Sequence, residues 1–224
     1  MLNGVHLTAV LARSQHSVIG KGDDILERIP DDLGYLKRLV DDSIVIMGRK
    51  TWESCGNEKF LYNCKVIVVS RSENTLDIKW FSSINCLTPL CHLGEHLLRY
   101  KEKFNLPVFV LGGAEIYDAL REHIDHWLIT DFEHKLKTGR YPEDVKRLTD
   151  RTCETIFSGT QLVGTTGKTR QWGKDSAGWI DVEYNLYEST KHHVPLKQRR
   201  FIYKQFKQAQ KNKTHWVKFK RFFK

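Results

Sequence analysis

Two short glycine turns constrain this chain more than any other feature. They lie in Ser43-Ile-Val-Ile-Met-Gly-Arg-Lys-Thr-Trp-Glu-Ser54 and in Val108-Phe-Val-Leu-Gly-Gly-Ala-Glu-Ile-Tyr117. In each, an apolar and mostly β-branched run reads as a buried strand, glycine permits a sharp backbone turn, and helix-forming residues follow at once. Each turn then presents unpaired backbone N–H groups at a helix N-terminus, where the amides and the helix dipole attract phosphate. Arg49, Lys50 and Thr51 add two cations and a hydroxyl to the first turn. A lone Gly112-Gly113 pair would read as a tight connection. Two such turns, roughly sixty residues apart, are suited to holding a dinucleotide between them.

The rest of the chain alternates strand and helix signals. Strands are expected at Val5 to Ala12, Ile44 to Met47, Val66 to Val69, Asp77 to Phe81, Pro107 to Leu111 and Trp127 to Asp131. Helices are expected from Asp31 to Val40 behind Pro30, from Thr51 onward, from Leu90 to Phe104 and from Ala114 to Leu120. Gln161 to Thr169 and Trp179 to Ser189 read as a closing antiparallel hairpin, with Gly173 and Gly178 in the loop between them. This order implies an α/β fold, a twisted and mainly parallel sheet with helices on both faces.

Composition sets the wider limits. With 224 residues, 40% of them hydrophobic, the chain can bury a substantial core. No apolar run approaches the roughly 20 residues that span a bilayer, and no signal-peptide layout opens the sequence. Five scattered cysteines, Cys55, Cys64, Cys86, Cys91 and Cys153, form no disulfide framework, so a cytoplasmic protein is expected. The spacing of Cys86, Cys91, His92 and His96 matches no established zinc pattern and reads as a solvated helix start. The net charge of +9 is uneven: residues 191–224 carry nine Lys, three Arg and no acid, whereas the preceding 190 residues carry 24 basic and 27 acidic side chains.

At the two glycine turns the chain resembles the dihydrofolate reductase family. Ile46-Met-Gly-Arg-Lys-Thr-Trp-Glu-Ser54 and Leu111-Gly-Gly-Ala-Glu-Ile-Tyr117 are similar to that family's two NADPH-binding turns. Val18-Ile-Gly-Lys21 and Ile29-Pro-Asp-Asp-Leu33 are similar to its active-site loop and first helix. The four motifs stand in family order, and the similarity runs from about Val5 to about Thr190. It implies a reductase domain over 1–190 and an extension over 191–224, acting as a monomer that reduces 7,8-dihydrofolate, or a related dihydropterin, with NADPH.

What the resemblance implies for individual residues is specific. Asp32 falls where relatives hold the pterin ring with a carboxylate, which accepts paired hydrogen bonds and favours protonation beside the carbon that receives hydride. Read without the family, Asp31 and Asp32 would only complement a helix dipole. Thr130 matches the hydroxyl that bonds this carboxylate. Val10, Ile25, Leu33, Leu36, Cys55, Leu111 and Tyr117 are expected to line the substrate cleft. Ala12, Ile19, Gly20, Gly48, Arg49, Lys50, Thr51, Gly112, Gly113, Ala114, Glu115 and Ile116 are expected on the cofactor. Ser70 and Arg71 match the site of the 2′-phosphate, a charge that suits Arg71.

Three departures stand beside the resemblance. Leu26 and Glu27 replace a Pro-Trp pair in the active-site loop; Glu27 has as candidate roles a proton relay, a contact to a different ring, or a solvent-facing side chain. In Asn57-Glu-Lys-Phe-Leu-Tyr-Asn-Cys-Lys65, Cys64 stands nearest the place of the arginine that binds the folate α-carboxylate, and Lys65 beside it lacks that bidentate fork. Thr138-Gly139 replaces an Asp-Thr pair near Tyr141-Pro142. The basic extension interleaves its cations with Phe201, Tyr203, Phe206, Trp216, Phe219, Phe222 and Phe223. That pattern suits nucleic acid or another polyanion, an anionic membrane surface, an acidic protein partner, or packing onto the acidic body. These departures also admit a reductase-like fold reused as a binding module.

Overall fold

Alternation along the strands decides how this molecule is layered. The computed structural model describes residues 1–55, 61–71, 84–88, 90–134, 141 and 143–211. The elements run β1 (Leu7–Arg13), β2 (Val18–Lys21), β3 (Asp24–Ile25), α1 (Pro30–Val40), β4 (Ile44–Gly48), α2 (Arg49–Cys55), β5 (Lys65–Val69), β6 (Ile84–Thr88), α3 (Leu93–Phe104), β7 (Val108–Val110) and α4 (Ala114–Leu120). They continue with β8 (Ile124–Phe132), β9 (Val145–Arg147), α5 (Asp150–Ser158), β10 (Thr160–Thr165), β11 (Thr169–Gly173), β12 (Gly178–Ser189) and α6 (Leu196–Lys211).

Side chains two apart along a strand share a face. Val10, Val45, Met47, Val66 and Val68 therefore face one way, where they meet Tyr35, Leu39 and Val40 of α1, Trp52 of α2, and Ile202 and Phe206 of α6. Leu7, Ala9, Leu11, Ile44, Ile46, Ile67 and Val69 face the other way, onto Leu93 and Leu97 of α3, Ile116 and Leu120 of α4 and Ile156 of α5. Strands buried on both faces are what a parallel sheet requires.

The main sheet has the order β10-β12-β8-β1-β7-β4-β5-β6, with β11 paired to β12. From β8 to β6 the pairings are parallel, and β8, β10, β11 and β12 close the sheet antiparallel. A separate small sheet, β3-β2-β9, holds the segment between β1 and α1. The expected mainly parallel α/β architecture is thus present.

The closing hairpin differs in detail from expectation. The single loop expected between two strands contains a third, β11, which pairs with the first half of β12 so that Trp172 lies opposite Trp179 and Gly173 opposite Gly178. Polar residues dominate this stretch, so it carries little alternating hydrophobic signal. The expected Leu90 to Phe104 helix starts with a short 3-10 turn, Leu90–His92, before α3. The expected strand at Asp77 to Phe81 lies outside the described residues.

Candidate active site

The carboxyl ends of β1, β4, β5 and β7 converge on one edge of the sheet, the usual place for a ligand crevice in an open α/β fold. There β4 lies between β5 and β7, and the two glycine turns become neighbours. The Leu111 amide donates to the Ile46 carbonyl at 2.8 Å, and the Gly48 amide to the Gly112 carbonyl at 2.7 Å. The Ile116 and Tyr117 amides both turn back to the Gly113 carbonyl at 3.0 Å. Gly112 has φ of +93°, and a Cβ there would stand 2.6 Å from the Tyr117 ring, so both backbone and space demand glycine. A Cβ on Gly113 would meet Thr51 Oγ1 at 3.3 Å, which ties the second turn to the helix that follows the first.

The structure places the other expected cofactor residues on or beside β1, β2, β4, β5, α2 and α4. Gly48 packs under Ile116, Arg49 pairs with Glu53 at 2.9 Å, and Lys50 is exposed. Ser70 is buried at the end of β5 and donates its amide to Thr88. Arg71 is exposed, and its guanidinium stands 3.6 Å from Glu115 at the start of α4. Ala12 is the penultimate residue of β1, while Ile19 and Gly20 lie on β2. The two turns offer backbone, and Arg49, Lys50 and Arg71 offer cations beside Glu53 and Glu115, groups that suit the phosphates of a dinucleotide.

On the substrate side, α1 starts at Pro30 and carries Asp32 in its first turn. Ninety-eight residues later in the chain, Thr130 of β8 donates its hydroxyl to Asp32 Oδ1 at 2.8 Å. Burial pushes the Asp32 carboxyl up to about 6, against the opposing pull of the Thr130 hydrogen bond. Two tyrosines that sequence reading missed complete its surroundings. Tyr35 lies one helical turn on, and Tyr184 faces Thr130 across the β8–β12 ladder. Their rings pack at 4.6 Å, and burial raises both hydroxyls, helped by the nearby Asp32 charge. The Tyr184 hydroxyl donates to Gln171 of β11 at 3.2 Å. Tyr35 was legible as the residue three past Asp32, whereas Tyr184 needed the strand register.

Leu33 is exposed on the same helix, with Leu36 half-buried behind it, and Ile25 is exposed on β3. Leu111 is half-buried at the end of β7. Tyr117 is buried, and its hydroxyl donates to the Val10 carbonyl at 2.6 Å, so both support the cleft from beneath. The Cys55 side chain, residues 56–60, Asp77 to Phe81, Thr138-Gly139, Pro142 and the aromatics beyond Lys211 fall outside the described residues.

Two departures resolve against simple expectation. Glu27 does not point to solvent: it is buried, and its carboxylate accepts from the Asp175 and Ser176 amides of the β11–β12 turn. Cys64 is turned inward, where its thiol donates to the Val40 carbonyl at 3.2 Å and burial raises its pKa. Lys65 places its ammonium 5.3 Å from the Phe104 ring centroid.

The comparisons with known proteins point to one family. The family model described as dihydrofolate reductase matches residues 6–151. The dihydrofolate reductase of Bacillus subtilis (strain 168) is 30% identical over 184 residues, which is 81% of this chain and 94% of that protein. Dihydrofolate reductase type 6 of Proteus mirabilis is 32% identical over 122 residues, covering 53% of this chain and 69% of that one. Dihydrofolate reductase from Enterococcus faecalis, solved with NADP(H) and RAB-propyl, shares the fold with a TM-score of 0.61 at 19% identity, covering 83% of this chain and 96% of that one.

Proposed function

The chain belongs to the dihydrofolate reductase family, and on that premise we propose that the crevice at the ends of β1, β4, β5 and β7 carries out the NADPH-dependent reduction of 7,8-dihydrofolate to tetrahydrofolate. The product is the one-carbon carrier of nucleotide synthesis. NADPH, when bound, supplies a hydride to the pterin carbon next to N5. This chain's residues supply the rest. Asp32 grips the amidine edge of the ring, Thr130 orients that carboxylate, and the raised Asp32 pKa keeps a proton at hand near neutrality for N5. The single observation that carries the assignment is the Thr130–Asp32 hydrogen bond, in a chain whose two glycine turns are hydrogen-bonded to one another.

The test is dihydrofolate-dependent oxidation of NADPH by the full chain, beside Arg71→Ala. Removing the exposed guanidinium from the 2′-phosphate position should raise KM for NADPH roughly tenfold while leaving NADH nearly unaffected. Equal losses with both nucleotides would remove Arg71 from that role.

We keep 1–190 as the reductase domain and 191–224 as an extension whose helix α6 is docked into that domain's core, and place the enzyme in the cytoplasm as a monomer. Among the described residues no helix is long and apolar enough to cross a membrane, and Cys64, Cys91 and Cys153 form no disulfides. One observation favours a second role for the extension. Helix α6 turns its apolar face into the core through Ile202 and Phe206, which leaves Lys197, Arg200, Lys204 and Lys207 exposed along the opposite face. Lys207 also covers the Tyr203 ring, 4.6 Å from its centroid. We read this stripe as a surface for single-stranded nucleic acid. Neutralising all four cations to Gln should lower the salt dependence of binding to a labelled single-stranded RNA by about 3 units of slope, at about 0.7 per phosphate contact. An unchanged slope, or binding only to anionic vesicles, would overturn it.

A further inference from the structure

Glu27 is a buried carboxylate that the reductase chemistry does not use. It lies in the segment between β3 and α1, two residues before Ile29, which is 1% exposed, and its own side chain has no solvent exposure. A buried carboxylate persists only where donors surround it. Here the donors come from the turn that joins β11 to β12. Oε1 accepts from the Asp175 amide at 2.8 Å and the Ser176 amide at 3.2 Å, and Oε2 lies 3.1 Å from the same Ser176 amide. His134 Nδ1 stands 3.3 Å from Oε2, within ion-pairing reach.

The contact is reciprocal. Asp175 accepts from the Arg28 amide at 2.6 Å and from the Arg28 guanidinium at 3.1 Å, while the Lys174 amide donates to the Arg28 carbonyl at 2.9 Å. Gly173 makes room for it. A Cβ at Gly173 would sit 2.6 Å from Ser176 Oγ, 2.7 Å from Glu27 Oε1 and 3.0 Å from its Cδ. Charge, backbone amides and a missing side chain thus meet at one point, joining two segments nearly 150 residues apart in sequence.

We propose that Glu27 is a positioning residue. Its carboxylate clamps the segment that leads into the Asp32 helix onto the β11–β12 turn, and so sets the substrate-side wall formed by Ile25 and Leu33. The cofactor floor, built from the two glycine turns, lies on other elements and does not depend on this clamp. The proposal rests on the reductase reading for its kinetic consequence, but the clamp itself has a readout independent of turnover.

The experiment uses the full chain with Glu27→Leu, Gly173→Ala, the pair together, and Glu27→Gln. Hydrogen exchange without ligands reads the Asp175 and Ser176 amides, and steady-state kinetics read KM and kcat. Either single variant should speed exchange at both amides roughly tenfold or more, and raise KM for dihydrofolate roughly tenfold with kcat nearly unchanged. The double variant should fall well short of the sum of the two single ones, because both disturb the same contact between Glu27 and the β11–β12 turn. Glu27→Gln keeps one acceptor oxygen and should lie near the wild type. Should Glu27→Leu fail to fold, Gly173→Ala carries the same expectations. Unchanged exchange, additive effects, or faster exchange with unaltered KM would each overturn the proposal. Absence of dihydrofolate turnover in the wild type would instead fail the reductase reading, with the exchange data still deciding the clamp.

Discussion

Asp32→Asn is expected to lower dihydrofolate turnover by about 10²- to 10⁴-fold while leaving NADPH binding intact. An amide keeps the size of the side chain and its contact with Thr130, but it neither holds the ring as an anion nor yields a proton. In the wild type the carboxyl is held up to about 6 by burial, so activity should fall as pH rises above that value and the protonated fraction declines. The pH dependence of kcat/KM, with the loss absent in Asp32→Asn, checks this. A variant that retained full turnover would remove Asp32 from the reaction.

The same substitution should stabilise the protein. The folded state binds the Asp32 proton more tightly than the unfolded chain does, at about 6 against the ordinary 3.8. The stability linked to that proton is fully present below about pH 4 and is lost as pH rises through about 6. Asparagine does not titrate. At pH 7 it should therefore gain about 2 kcal/mol over the wild type, somewhat less than the full shift because the carboxylate is only half-buried. The gain should vanish near pH 4, as thermal unfolding across that range would show. A variant less stable at neutral pH would mean that Asp32 contributes to folding through contacts other than its strained charge.

Phe206→Ala should cost about 3 to 5 kcal/mol, a large share of the stability of a single domain. Phe206 is 2% exposed within the core cluster that also holds Tyr35, Leu128 and Leu186, and its ring reaches the backbone of Gly164 in β10. A midpoint drop of roughly 10 °C is expected in thermal unfolding. Turnover per folded molecule should change far less than stability, because Phe206 stands outside the Asp32–Thr130 pair. Arg199 reinforces the docking through a 2.7 Å ion pair with Glu188, a residue buried in β12. Deleting 191–224 would strip this helix from the core, so partner binding by the extension has to be probed through its exposed lysines. A Phe206→Ala protein as stable as the wild type would show that α6 docks without contributing to the fold.

Much of the site was legible one segment at a time. The glycine turns, α1 behind Pro30 and the buried strands β4 and β5 each follow from local rules of periodicity, backbone freedom and helix entry. The strand β11 was not legible, because its polar residues give no alternation, and it forms by pairing with β12. The partners of Glu27 were hidden for a related reason. A carboxylate in a loop faces water by default, and its burial follows from amides supplied by a turn that lies far away in sequence.

The sequence by itself determined the buried strands β4 and β5, the glycines at the two turns and the presence of a carboxylate at the start of α1, since these depend on neighbours within a few residues. Only the tertiary structure decided that Thr130 would meet Asp32, that burial would lift that carboxyl to about 6, and that Glu27 would turn from the cleft to the hairpin. It also decided that α6 would bury its aromatic face and leave its cations outside. Burial and desolvation arise from the packing of distant segments, and no local pattern of residues encodes them.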